Sequence, residues 1–172
     1  RLRAMLHQLV DALPLDAACD QFISHRFLHD RLPPYMPPVD AARVPRDQAA
    51  IDKIVQLSSR IRLATRRCAR LSVEDGVAVV YHCTDNTRVH HALPAAQHID
   101  FAIEAAPAIE KILLAYPKFV SVAKLPADSD AQRLDIARAF AEARIVLVRP
   151  AATEKQKLSP KPTSSKMATK GR

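Results

Sequence analysis

Residues 71–82 read LSVEDGVAVVYH, and the two halves of this segment have the pattern of paired β-strands. Leu71 and Val73 alternate with polar neighbours, and an apolar run follows from residue 77 to residue 82. Glu74-Asp75-Gly76 separates the two halves, and Asp-Gly is among the strongest cues for a tight turn. We therefore predict a β-hairpin that contributes to a buried core.

Further strands and two helices are predicted around the hairpin. Short alternating or apolar segments favour strands at 60–63, at 98–101, at 145–148 and, after a turn at 84–86, at 87–91. Helical spacing predicts one helix over 105–116, with Pro107 in its first turn, and another after a cap at Asp128 or Ser129. This order predicts a winged-helix-like unit, and the rings of Tyr116, Phe119 and Phe140 are expected in its core.

The N-terminal part of the chain favours two amphipathic helices, over residues 1–13 and 16–29. The apolar stripe of the first contains Leu9, and that of the second contains Phe22. The proline pairs at 33–34 and 37–38 stop further helix, and residues 39–58 read as a link with one or two helical turns. Two short helices cannot enclose a core, so we expect their apolar faces to need a partner.

Charge is distributed unevenly along the sequence. Residues 1–71 have 12 Lys/Arg against 7 Asp/Glu, residues 72–150 have 8 against 10, and residues 151–172 have 6 against 1. A duplex-binding domain carries its positive charge on the folded face that meets phosphates, so the acidic middle region disfavours duplex binding. The last segment is rich in Lys, Ser, Pro and Thr and is expected to be a disordered basic tail.

Composition excludes several classes of function. The chain has 172 residues and only 2 glycines, Gly76 and Gly171, so no glycine-rich phosphate loop can be written. No apolar run approaches the roughly 18 residues of a membrane span, so no membrane association is expected. Cys19, Cys68 and Cys83 form no C-x-x-C pair and are expected to be free thiols. Since the chain starts with Arg1 inside a helical pattern, we expect it to be part of a longer protein.

The histidines offer three candidate metal sites, and none is complete. His98 and Asp100 lie on one face of a predicted strand, as in a 2-His-1-carboxylate iron site, but no histidine follows His98. In the cluster of His82, Cys83, His90 and His91, the adjacent residues His90 and His91 are expected to point to opposite faces of a strand. His25 and His29 have helical i, i+4 spacing without the glutamate of H-E-x-x-H, and a surface location is favoured. We therefore predict no catalytic, cofactor-binding or metal-binding residue in this chain.

A basic run is the remaining candidate for a binding site. It consists of Arg60, Arg62, Arg66, Arg67 and Arg70. These arginines either contact phosphates or form a solvated strand and turn.

Three segments resemble one known family. Residues 80–91 read VYHCTDNTRVHH, residues 114–122 read LAYPKFVSV and are followed by Leu125-Pro126, and residues 27–34 read FLHDRLPP. They are similar, in the same order, to segments of the JmjC-type ribosomal oxygenases, the bifunctional lysine-specific demethylase and histidyl-hydroxylase family. The resemblance covers residues 1–149, with Thr87 where the family usually has Ser and His90 where it has Tyr.

The resemblance implies the C-terminal part of a nuclear enzyme that uses Fe(II) and 2-oxoglutarate. In that family a catalytic barrel with a His-x-Asp…His triad precedes this region, and no residue of the triad is present here. The implied substrates of the parent enzyme are a ribosomal protein, hydroxylated on histidine, and a histone, demethylated on lysine. The implied contribution of this chain is homodimerisation and scaffolding.

The predicted fold class is α+β, in three parts. A helical dimerisation segment spans residues 1–45, a winged-helix-like domain with preceding strands spans 46–150, and the basic tail spans 151–172. Two other functions stay open: a stand-alone winged helix that binds nucleic acid, and a protein-interaction module. A weak, salt-sensitive nucleic-acid contact through the tail is compatible with each of these functions.

Overall fold

The structure is a computed structural model that describes residues 1–45, 47–87, 89 and 95–150. Its α-helices are α1 Leu2–Asp11, α2 Leu15–Phe22, α3 Pro38–Ala41, α4 Gln48–Ile54, α5 Ala106–Leu114 and α6 Asp130–Glu142. A π-helix over Ile23–Leu28 continues α2, and 3₁₀ turns cover Ile103–Ala105 and Val122–Lys124. In these ranges no helix is both long and apolar enough to cross a bilayer.

In the described part of the chain, six strands form two antiparallel sheets. The strands are β1 Arg60–Leu63, β2 Ala69–Glu74, β3 Val77–His82, β4 Gln97–Ala102, β5 Val120–Ser121 and β6 Val146–Arg149. One sheet has the order β5-β1-β6 and the other the order β2-β3-β4. The mixture of helices and sheets confirms the α+β class.

The predicted hairpin is present with the expected turn. Glu74 pairs with Val77, so Asp75 and Gly76 form a two-residue loop between β2 and β3. Both loop residues have positive φ, 49° for Asp75 and 80° for Gly76, which is the backbone of a type I′ turn. Strand β3 is the central strand of its sheet and is buried along most of its length.

Helices α5 and α6 pack with both sheets into one core. Ser129 caps α6, because its hydroxyl accepts a hydrogen bond from the Gln132 amide at 3.1 Å. Phe140 on α6 is fully buried, with its ring 5.8 Å from that of Phe101 on β4. The other large side chains of the same core that are fully buried are Leu28, Ile61, Ile109, Ile112, Leu125, Ile136 and Ile145.

The prediction of three aromatic core residues is correct for Phe140 and wrong for Phe119. Phe119 is half-buried beneath two guanidinium groups, with Arg149 Cζ 4.2 Å and Arg62 Cζ 5.1 Å from its ring centre. Tyr116 is also half-buried, at the edge of the core. Arg60, Arg62 and Arg149 share one face of the β5-β1-β6 sheet, and Phe119 lies beside these arginines.

The remaining differences from the predictions concern connecting segments. The predicted strand at 87–91 is not formed at Thr87 or Val89, and its other residues lie outside the described part of the chain. The link at 39–58 contains α3 and α4, and the second predicted helix ends in the π-helix. The tail at 151–172 also lies outside the described residues, so its disorder stays a prediction.

Candidate functional site

His98 and Asp100 lie on the exposed side of β4. His98 Nε2 is 4.0 Å from Asp100 Oδ1, so the pair shares one face, as the strand spacing predicted. The described parts of the chain contain no group of three or more His, Cys, Asp or Glu side chains that could hold a metal ion. A facial triad needs a third protein ligand, so these two residues do not fit a catalytic iron.

His82 is buried at the end of β3 and has a hydrogen-bond partner there. Its Nδ1 lies 2.8 Å from Thr84 Oγ1, and Thr84 donates its single hydroxyl proton to the Ala143 carbonyl at 2.7 Å. His82 must therefore be the donor to Thr84, which requires a proton on Nδ1. Burial lowers the pKa of His82 and so favours the neutral imidazole, here the Nδ1–H tautomer. Of the other members of the predicted cluster, His90 and His91 lie outside the described residues.

The thiol groups are in different environments. Cys19 is exposed, whereas Cys68 and Cys83 are buried at adjoining positions of the β2–β3 hairpin. Burial raises the pKa of both buried thiols, and for Cys83, which also has Cys68 as a neighbour, to about 11. Neither is poised as a nucleophile at neutral pH, since the thiolate is the reactive form.

His25 and His29 do not share one environment. His25 is exposed, and its Nε2 lies 3.2 Å from the Tyr81 hydroxyl and 4.0 Å from Glu74 Oε1. Tyr81 donates to Glu74 at 3.0 Å, and burial together with this hydrogen bond raises the pKa of Tyr81 to about 12. The side chain of His29 is only 15% exposed, so the predicted surface location is wrong for this residue.

The arginines of the basic run point to several places on the surface. Arg70 pairs with Asp20 of α2, and Arg62 pairs with Asp40 of α3 at 3.3 Å. Arg60 donates to the Phe119 carbonyl at 3.1 Å, and Arg66 and Arg67 are exposed. The five residues therefore do not form one phosphate-binding patch.

An unpartnered apolar surface belongs to residues 1–32, which we call the N-terminal arm. No residue of α1 or α2 is buried, although both helices are amphipathic. The exposed apolar side chains of the arm are Leu2, Met5, Leu6, Leu9, Val10, Leu13, Leu15, Phe22, Phe27 and Leu32. A cavity of about 490 Å³ lies where the arm meets β2, lined by Phe22, Ile23, Phe27, Leu28, Arg67, Ala69 and Arg70. The apolar side chains of α1 and α2 in the arm are exposed to solvent.

Asn86 fixes the arm to the folded domain. Its Nδ2 donates to the carbonyls of Leu28 at 2.7 Å, of Arg31 at 2.8 Å and of His29 at 3.1 Å, and the side chain is buried. The Asp20–Arg70 ion pair adds a second link between α2 and β2. Asn86 lies within segment 80–91, but nothing in the sequence indicated that its side chain joins the arm to the folded domain.

Comparison with known proteins identifies relatives over most of the chain. The sequence family described as the C-terminal winged helix domain of ribosomal oxygenase 1 matches residues 39–150. Ribosomal oxygenase 1 of Danio rerio is 33% identical over 154 residues, which covers 84% of this chain and 28% of that protein. The bifunctional lysine-specific demethylase and histidyl-hydroxylase NO66 is 31% identical in Dictyostelium discoideum, over 81% of this chain and 27% of that protein. The Branchiostoma floridae protein of the same name is 30% identical, over 85% of this chain and 25% of that protein. The chain thus spans about a quarter of the length of these relatives.

Proposed function

The chain belongs to the family of ribosomal oxygenase 1 C-terminal winged helix domains, and from this premise we propose that it is the C-terminal part of an Fe(II)- and 2-oxoglutarate-dependent oxygenase. The match over residues 39–150 is the observation that carries the proposal. The matched region makes up only about a quarter of each relative, which leaves room for a catalytic domain before this region.

The chemistry of the proposed parent follows the names of its relatives. They are described as histidyl-hydroxylases and lysine-specific demethylases. We assign to the parent the hydroxylation of a histidine in a ribosomal protein and the demethylation of a histone lysine, in the nucleus. The described residues supply no iron triad, so we derive no catalytic step within this chain.

The proposed contribution of this chain is dimerisation and scaffolding. The arm exposes two apolar helices, and burying a Leu or Phe side chain stabilises an assembly by roughly 1.5–3 kcal/mol. Two copies of the arm packed together would cover this surface. Because Asn86 fixes the end of the arm to the winged-helix domain, such a dimer would also set the orientation of two catalytic domains.

Sequencing the transcript upstream of the codon for Arg1 tests the proposal. An in-frame barrel with a His-x-Asp…His triad supports it, and an in-frame stop codon directly before Arg1 contradicts it. The chain by itself is expected to bind no catalytic iron and to consume no 2-oxoglutarate. Stoichiometric Fe(II) binding that is lost in His98→Ala would assign a metal site to this domain and contradict that expectation.

A further inference from the structure

One face of the β5-β1-β6 sheet concentrates positive charge. Arg60 and Arg62 project from β1 on the side opposite to the buried Ile61, and Arg149 of β6 lies directly across from Arg60. We call Arg60, Arg62, Arg149 and Phe119 the arginine face. Like charges directly opposite each other destabilise a sheet, so the packing of the domain does not account for this pair.

Two of the three guanidinium groups have no carboxylate partner among the residues that the structure describes. Asp40 binds Arg62 at 3.3 Å and Arg43 at 3.1 Å. Across residues 1–45, 47–87, 89 and 95–150, no carboxylate pairs with Arg60 or Arg149, and both are exposed. Their charges are therefore open to an anion from outside.

Phe119 holds Arg149 in place before any ligand arrives. The ring centre is 4.2 Å from Arg149 Cζ and 5.1 Å from Arg62 Cζ, and the Phe119 carbonyl accepts from Arg60. A guanidinium group that is already held over a ring loses less conformational freedom on binding. It also offers a planar group on which a nucleobase can stack.

We propose that the arginine face binds single-stranded nucleic acid, with Arg60 and Arg149 on phosphates and Arg149 also against a base. A sheet face does not enter the grooves of a duplex, which admit a helix or a ribbon. An acidic protein segment would match the charge but would not use the outer planar face of the Arg149 guanidinium. The proposal goes beyond the oxygenase assignment and does not depend on it.

The test uses the full chain and a fluorescent 20-nucleotide uridine RNA, with fluorescence anisotropy measured between 50 and 200 mM salt. A thymidine DNA strand of equal length, which shares this chemistry, is measured in parallel. In Arg60→Gln/Arg149→Gln, affinity at low salt should fall about tenfold, and the salt slope should decrease by about 1.4, or about 0.7 for each phosphate contact. Arg3→Gln/Arg26→Gln removes the same charge from the arm and should change affinity by less than about twofold.

The controls separate this proposal from its competitors. Arg149→Lys keeps the charge and should retain the salt slope while lowering affinity, since only Arg stacks as a plane. Thermal melts of all variants should agree within about 3 °C, because the substituted side chains are exposed. The proposal is overturned if the unmodified chain does not bind, or if the face variant and the arm control weaken binding equally. It is also overturned if poly-glutamate or a 20-base-pair duplex competes as well as the single strand.

Discussion

Asn86 is the residue on which the attachment of the N-terminal arm depends most directly. Its amide donates to three backbone carbonyls of residues 28–31. If the amide is removed, these carbonyls lose this hydrogen-bond donor. Asn86→Asp keeps the shape of the side chain but replaces the donor with a second acceptor. We expect a loss of about 3 kcal/mol in the free energy of unfolding, measured by urea denaturation.

A matched control lies next to Asn86. Asp85 is exposed, and its carboxylate is 3.7 Å from Arg144 Nη1. Asp85→Asn reverses the chemical change of Asn86→Asp at a surface position, where an ion pair contributes about 0–1 kcal/mol. Equal losses in the two variants would show that the Asn86 hydrogen bonds do not stabilise the domain.

His82 makes stability depend on pH in a defined direction. Burial lowers the pKa of His82 in the folded chain, so the unfolded chain binds a proton more readily. The corresponding stability is fully present above the unfolded pKa, about 6.5, and is lost as pH falls through the folded pKa. We expect the free energy of unfolding to decrease between pH 7 and pH 5, by at most about 1.4 kcal/mol per pH unit for this one group.

His82→Gln removes this titrating group and retains a hydrogen-bond donor toward Thr84. Its urea denaturation midpoints should change less with pH than those of the unmodified chain. Parallel pH curves for the two proteins would assign the acid sensitivity to other residues.

Phe140 lies on α6 in the core, whereas Phe119 lies beside the arginines of the β5-β1-β6 sheet, so the loss of each ring should have a different cost. Phe140→Ala removes a fully buried ring and should cost about 3–5 kcal/mol. Phe119→Ala removes a half-buried ring held by cation–π contacts and should cost clearly less, about 1–2 kcal/mol. Thermal melts measure both changes, and a melting temperature unaffected by Phe140→Ala would contradict the position of α6 in the core.

Elements with a strong local signal were predictable from the sequence. Asp75-Gly76 between two apolar strands specified the hairpin, and the cap of α6 was predicted at Asp128 or Ser129, of which the structure has Ser129. The environment of Phe119 was not predictable, because it depends on the pairing of β1 with β5 and β6 across some 60 to 90 positions. His29 is similar: it was expected on the surface, but its side chain is only 15% exposed, and its carbonyl accepts from Asn86 of a distant segment.

The same limit applies to function. The motifs at 27–34, 80–91 and 114–122 were sufficient to recognise the family, which the match over residues 39–150 confirms. Those motifs gave Asn86 no role, since its hydrogen bonds join segments 55 to 58 residues apart. The sequence also could not show that Arg62 and Arg70 of the basic run pair with different carboxylates, because this depends on where Asp40 and Asp20 lie in the fold.

We expect the N-terminal arm to make the whole chain self-associate in solution. Its helices α1 and α2 have no buried residue, and Leu9 and Phe22 are each 63% exposed. Burial of several such side chains, at roughly 1.5–3 kcal/mol each, is enough to offset the loss of rotational and translational freedom in a dimer. Sedimentation velocity should therefore detect a dimer at micromolar concentration.

Substitutions on the two helices test which surface forms the dimer. Leu9→Glu/Phe22→Glu places charges in the apolar stripes and should yield monomers, because an unpaired buried carboxylate is too costly to retain in an interface. Gln8→Glu/Gln21→Glu adds the same charge at exposed polar positions of the same helices and should leave the dimer intact. Neither variant should lower the melting temperature of the winged-helix domain, whose core contains no residue of α1 or α2. An unmodified chain that sediments as a monomer at high micromolar concentration would remove the arm as a dimerisation surface.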